Sequence, residues 1–298
     1  MRNRLLVTGS TGFVGTPLVR MARGGEWDLH TVSRASRPEG TEGGGVHHVA
    51  DLLDRECRRQ LIAEVRPTHL IHLAWYVEPS LYWTSTENQR WLEASADLFE
   101  SFGTHGGQRL VGIGTSAEYE WREPLLREEA TVLRPASVYG EAKRMLGELA
   151  QQSSARHGFS AAWARLFMVY GPGEPESRFI PTVIRACESS ATVRCEDLVR
   201  DLMFIEDAAR ALLALAGSSF AGPVNVGSGR GTSLVSVVDA VAREVGRDAT
   251  VELIEGADRA PVVADVTRLR AIAPDLLPIP LEEGLALTIA ARALRQRR

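Results

Sequence analysis

The 298-residue chain is 44% hydrophobic and 24% charged, with a formal net charge of −4, which is the balance of an ordinary globular protein with a sizeable core. No basic stripe offers nucleic acid a footprint, and Cys57, Cys187 and Cys195 are too scattered for a disulfide framework or a metal site. No segment approaches the length of a membrane span, and the apolar run after "MRNR" is too short for a secretion signal, so a cytoplasmic protein without a membrane partner is expected.

In chain order, "RLLVTGS" (4–10) reads as a strand entering a glycine-rich turn, followed by a helix over 17–25. Strands are expected at 29–34 and 46–51, then a helix at 55–67, a strand at 68–75 and a helix at 90–107. Further strands fall at 109–116 and 161–171. Apolar strands alternating with helices argue for an α/β fold with a parallel sheet covered on both faces. His69 and His72 lie on one expected strand and point to opposite sides, so they and His47–His48 read as structural, with no metal. Beyond Gly171 the pattern loosens into "PGEPESRFIP", a helix, a hairpin-like stretch at 192–204 and "PVNVGSG". The expected organisation is a dinucleotide-binding domain over 1–170, rejoined by 205–228, with a smaller lobe from 171–204 and 229–298.

The turn carries Gly9-x-x-Gly12-x-x-Gly15 between a strand and an amphipathic helix. Gly9 permits the tight turn, Gly12 lets a pyrophosphate approach the backbone, and Gly15 lets the helix pack close to the sheet. The free N–H groups of the helix then face the anion. In such folds an acidic residue at the end of the second strand binds the ribose of NAD, but here Ser33 and Arg34 stand there, with Arg37 close behind. A guanidinium suits a 2′-phosphate, so NADP(H) is favoured over NAD as cofactor. Further along, "SVYGEAK" places Tyr139 and Lys143 one helical turn apart. Alone, that is only a helix-surface pair.

These stretches, together with "HLAW" (72–75), "GTSAEY" (114–119), "RLFMVYGPGE" (165–174), "VRDLMFIEDAARAL" (199–212) and "VNVGSG" (224–229), resemble the extended short-chain dehydrogenase/reductase family, also called the NAD-dependent epimerase/dehydratase family. Its members mostly modify nucleotide-activated sugars. The resemblance implies a Rossmann-type doubly wound parallel sheet with a smaller interleaved substrate-binding lobe. It implies Tyr139 as general acid/base, Lys143 lowering its pKa and binding the nicotinamide ribose, and Ser116, or else Thr115, aligning the substrate oxygen. The cofactor would touch Gly9, Ser10, Thr11, Gly12, Phe13, Val14, Gly15, Ser33, Arg34, Arg37, Asp51, Leu52, Leu73, Ala74 and Trp75, besides Tyr139 and Lys143. The substrate set is Trp75, Tyr76, Glu118, Arg178, Arg200 and Arg259, with Trp75 and Tyr76 equally suited to core packing.

Three departures from the family pattern matter. Met168 replaces an asparagine that binds substrate phosphate in many relatives, and "EYEW" (118–121) replaces their "VYG". Ala117 stands where the sugar 4,6-dehydratases have an aspartate before their glutamate, leaving Glu118 without its partner acid. Because Ser33 and Arg34 favour NADP(H), and because the chain is short for the family, an NADPH-consuming reductase of a 4-keto-6-deoxyhexose nucleotide is favoured. A nucleotide-sugar epimerase is the alternative, with a dehydratase or a non-catalytic dinucleotide sensor further behind. A homodimer through a four-helix bundle is also expected, from 90–105 and 139–157, because Trp91, Leu92, Leu98, Phe99 and Phe102 exceed what one sheet-packing face needs.

Overall fold

Alternate residues of the first strand already define two cores. Leu5 and Val7 face one side of the sheet, with Leu18 and Val19 of the first helix; Leu6 faces the other, with Leu98, Phe99 and Phe102. The computed structural model describes residues 3–23, 25–36, 45–254 and 260–296, so Arg37 and Arg259 lie outside the described residues. The first half runs β1 (Arg4–Thr8), α1 (Gly15–Ala22), β2 (Asp28–Ser33), β3 (Val46–Val49), α2 (Arg55–Val65), β4 (His69–His72), α3 (Glu87–Thr104), β5 (Arg109–Thr115), β6 (Leu125–Leu126), α4 (Val138–His157) and β7 (Ser160–Leu166). Then come β8 (Met168–Tyr170), α5 (Phe179–Ser189), β9 (Val193–Cys195), β10 (Val199–Phe204), α6 (Ile205–Gly217), β11 (Gly222–Val226) and β12 (Gly231–Ser233). The chain ends with α7 (Leu234–Val245), β13 (Val251–Leu253), β14 (Val263–Ala264), α8 (Thr267–Ile272) and α9 (Leu281–Gln296).

Seven parallel strands form the large sheet in the order β3-β2-β1-β4-β5-β7-β11. The chain winds outward from β1 in one direction and from β4 in the other, so a crevice opens at the carboxyl ends of these two strands, where such sheets take ligands. This is the doubly wound α/β fold. Two glycines on β5 serve packing. A Cβ on Gly112 would lie 2.5 Å from the Trp163 ring, and one on Gly114 would collide with Glu118 and with the same indole. Gly147 of α4 meets Trp163 from the other side, so the indole lies in a glycine-lined slot between sheet and helix.

Two expectations about chain path are corrected. The stretch 161–171 is not one strand: β7 ends at Leu166, Phe167 donates its N–H to the Val226 carbonyl (3.0 Å), and β8 then joins a separate three-stranded sheet, β12-β10-β8. The stretch 192–204 is not a hairpin either. β9 pairs in parallel with β13, whereas β10 pairs with β8 and β12. Buried Asp201 ties this region together, accepting from the backbone N–H groups of Ser228, Gly229 and Ala264 and from the Ser228 hydroxyl.

The apolar surplus of α3 is also accounted for inside the chain. Leu98, Phe99 and Phe102 are fully buried in the core beneath the sheet, and Trp91 and Leu92 pack half-buried against it. What α3 turns outward is charge, including the Glu87–Arg90 pair and Glu93. Those apolar residues therefore give no reason of their own for a helical dimer interface.

Candidate active site

The site starts at the end of β1. Gly9 has φ +64°, and a Cβ there would lie 2.8 Å from the Ala74 nitrogen; a Cβ on Gly15 would collide with the Gly9 carbonyl oxygen. Only glycine fits at either place. At Gly12 the sole neighbour of such a Cβ is the Gly9 oxygen, so that face of the turn stays open. Val14, the residue before α1, offers no side-chain cap, and the first turn has no acidic residue, which leaves the helix's free N–H groups and positive end to the cavity. A bare, positive, glycine-lined helix start suits a dinucleotide's pyrophosphate. The cavity it opens into has a volume of about 690 Å³.

Of the residues expected at the cofactor, the turn from Thr11 to Gly15 with Gly9, then Ser33, Arg34, Leu52, Leu73, Ala74, Trp75, Tyr139 and Lys143 line this cavity. Two others are placed elsewhere. The Ser10 hydroxyl donates to the Val32 carbonyl (3.1 Å), stitching the turn to β2, and Asp51 is an exposed turn residue whose carboxylate accepts from the Leu53 N–H.

At the other end of the cavity, the Ser137 hydroxyl caps α4 by accepting from Gly140 N–H, which sets Tyr139 in the first turn. The Tyr139 N–H donates to the Trp83 carbonyl (3.2 Å), and the Tyr82 and Trp83 rings stand edge-on to its ring at 4.9 and 5.7 Å. Burial among these groups raises the phenol's pKa, with Tyr82 adding to it, while the Thr115 side chain and Arg178 favour the ionised form. Lys143 is only 4% exposed, and burial lowers its pKa to about 7 against the opposing pull of Glu118. Its ammonium donates to the Ile113 carbonyl (2.9 Å) and sits 3.9 Å from the centre of the Trp75 ring. Among the described residues no hydrogen bond joins this ammonium to the Tyr139 hydroxyl; it is directed to that carbonyl and that indole.

The family model described as "NAD dependent epimerase/dehydratase family" matches residues 5–227. The chain belongs to this family. It is 28% identical to a dTDP-glucose 4,6-dehydratase of Streptomyces griseus, over 97% of this chain and 94% of the other. It is 27% identical to a UDP-glucose 4-epimerase of Streptomyces lividans, over 83% and 82%. Among solved structures, a Thermus thermophilus UDP-glucose 4-epimerase bound to NAD superposes with a TM-score of 0.85 at 24% identity, covering 97% of this chain and 98% of that one. MoeE5 in complex with UDP-glucose and NAD gives 0.84 at 27% identity, covering 99% and 100%.

Within this member of the family, the remaining candidates divide. Arg178 lines the cavity, stacks over the Phe13 ring of the glycine turn (5.7 Å) and pairs with Glu174 (3.1 Å), so it links the 172–180 loop to the cofactor cradle. Thr115 lines the cavity beside Tyr139. Ser116 opens the next, 3-10 turn, where its carbonyl accepts from the Trp121 indole (2.8 Å). Arg200 lies over the Trp121 ring, 5.4 Å from its centre, and donates to the adjacent Val199 carbonyl (2.8 Å). Tyr76 packs against the core beneath the sheet, and Val77 lines the cavity in its stead.

Glu118 is a correction. Expected at a sugar hydroxyl, it is 0% exposed and accepts from Thr115 N–H (2.8 Å), the Trp163 indole (3.1 Å) and the Arg165 guanidinium (2.8 Å). With those donors around it, the carboxylate has no face left for substrate. His72 is structural, as expected: the Thr8 and Ser95 hydroxyls engage its two ring nitrogens at 2.8 Å, and burial lowers its pKa to about 3.

Sequence reasoning passed over Tyr82, Trp83 and Asn88, which wall or brace the catalytic end. It also passed over a count that was open to inspection. Lys143 is the only lysine in the chain, against 33 arginines.

Proposed function

We propose that the protein is an NADP(H)-dependent reductase of a nucleotide-activated keto-sugar, with the carbonyl at C4 of a 6-deoxyhexose. One observation carries this. Among the described residues, the cavity is lined by Arg34, Lys143 and Arg178 and by no aspartate or glutamate. The β2 end thus offers a guanidinium, suited to a 2′-phosphate, and no carboxylate for the ribose of NAD. The sugar end likewise offers no carboxyl pair for moving the C5 and C6 protons of a dehydration. Positive potential also suits a nucleotide diphosphate, with Arg178 inside the cavity and Arg200 beyond Trp121 as its partners.

Bound NADPH would supply the hydride. The chain's own part is the proton and the alignment. The Tyr139 hydroxyl donates its proton to the carbonyl oxygen as that oxygen gains charge, leaving an alcohol on the sugar and a phenolate on the enzyme. Thr115 or Ser116 holds the same oxygen in place, and the Lys143 ammonium steadies the phenolate until solvent returns the proton. Tyr82 and Trp83 keep water from the phenol's flank. Epimerisation is the second reading, supported by the UDP-glucose 4-epimerases among the relatives and by the NAD in a solved structure of one. The family resemblance supports a cytoplasmic homodimer, although the apolar residues of α3 do not; among the described residues, no helix is long and apolar enough to cross a membrane.

The test is purified protein, NADPH and a panel of nucleotide-linked 4-keto-sugars, followed by loss of reduced nicotinamide absorbance. Stoichiometric loss supports the reductase. An interconverted sugar without net loss, on tightly held cofactor, replaces it with the epimerase. Arg34→Ala is expected to lower kcat/KM for NADPH by about 10- to 100-fold, the worth of one charge-assisted contact, and to leave NADH nearly unchanged. Equal losses with both cofactors would remove Arg34 from the 2′-phosphate.

A further inference from the structure

Lys143 is a buried ammonium with no carboxylate at ion-pair distance among the described residues. A charge so placed normally requires a paired acid. Here one N–H goes to the Ile113 carbonyl (2.9 Å), and the face of Trp75 takes the place of the acid, 3.9 Å away. That indole is itself fixed. Trp75 is 8% exposed, and its ring N–H donates to the Asn88 side-chain oxygen (2.9 Å). Asn88 is fully buried, and its amide nitrogen donates in turn to the carbonyls of Tyr82 (2.6 Å) and Ser85 (2.9 Å). Tyr82 and Trp83 are the rings that stand against Tyr139.

We propose that Trp75 is a positioning residue for Lys143, holding the ammonium by its ring face and, through Asn88, fixing it relative to the segment that walls Tyr139. This rests on the reading of Lys143 as part of the catalytic set. A carboxylate partner would hold the ammonium equally well but would cancel its field in the cavity. An aromatic face attracts a cation without carrying a charge, so the site keeps its positive potential. Arginine would not serve here, since its planar fork of donors would need several acceptors where the structure offers one carbonyl and one ring. Other titratable groups near the ammonium are Glu118, which favours its charged form, His72, which stays neutral, and Tyr139 one helical turn away. None of them changes when Trp75 is replaced.

Because the chain has a single lysine, biosynthetic incorporation of lysine labelled with 13C at the ε carbon gives one side-chain signal to follow. In the wild type this methylene is expected to show an upfield ring-current shift and a titration midpoint well below that of free lysine. Trp75→Leu, checked for folding by circular dichroism, should abolish the ring-current shift and lower the midpoint by about one pH unit, tenfold in proton affinity. Trp75→Phe should fall between the two, and it decides the question if the Leu variant does not fold. An unchanged shift and midpoint in the folded variants would overturn the proposal and reduce Trp75 to core packing. The titration needs no turnover, so it stands even if no keto-sugar is reduced. If one is, Trp75→Leu should lower kcat at least tenfold with little change in KM for the sugar, and Trp75→Phe should recover part of it. A loss confined to KM would count against positioning and assign Trp75 to the sugar pocket wall.

Discussion

Tyr139→Phe is expected to lower kcat by about 10²- to 10⁴-fold while NADPH binding and thermal stability stay close to wild type. The substitution removes one oxygen. The backbone N–H that reaches Trp83 and the ring that meets Tyr82 and Trp83 edge-on are both retained in phenylalanine. With the oxygen goes the group whose ionised form the Thr115 side chain favours, at the place where proton transfer is assigned. Steady-state oxidation of NADPH measures the first quantity, cofactor fluorescence titration the second and a melting curve the third. Turnover within a few-fold of wild type would move the acid/base role away from Tyr139. A large fall in melting temperature would show that the hydroxyl serves the fold.

Glu118→Ala should cost about 3–5 kcal/mol of folding stability, since it leaves the Arg165 guanidinium buried without its counter-charge. Arg165 and Glu118 are both buried, and the pair extends through the Tyr119 hydroxyl, to which Arg165 donates (2.9 Å), to the Asn225 side chain, which accepts from that hydroxyl (2.7 Å). The network thereby fastens the turn after β5 to the edge strand β11. Glu118→Gln removes the charge and keeps most of the shape, so it should lose part of that stability with little effect on KM for substrate. Urea unfolding of both variants, with kinetics of the glutamine form, tests this. Unaltered stability together with a raised KM would return Glu118 to the sugar. Because Glu118 also favours the charged form of Lys143, the glutamine variant should lower the lysine's titration midpoint as well.

The cradle and the catalytic helix were legible in the sequence because both are local. Three glycines within seven residues specify one turn, and a spacing of four from Tyr139 to Lys143 specifies one helical step. The parallel sheet was legible for a similar reason, since each strand is a short apolar run bounded by polar turns. What stayed hidden depends on partners far along the chain. Glu118 looked free for substrate because Trp163 and Arg165, which consume it, stand 45 and 47 positions later. The break at Phe167 was invisible because "RLFMVY" is apolar on both sides, and only the hydrogen bond to Val226 separates the two strands. The surplus on α3 misled for a related reason. Pattern counts apolar residues but cannot tell whether the same chain covers them. A motif likewise places Thr115 and Ser116 side by side without saying which of the two faces the cavity.

The strand interruption at Phe167 also bears on how such a protein can be remade. The chain leaves the large sheet there, returns through β10 and α6 to β11, and departs again into β12, with β7 paired to β11 and β8 to β10 at the crossings. The two sheets are thus laced together by neighbouring threads. No single cut separates a cofactor module from a specificity module, and a chimera with a relative would need several junctions that all preserve strand register. Surface loops, as at 172–178, can accordingly be exchanged without crossing either sheet, whereas whole lobes cannot be recombined at one junction.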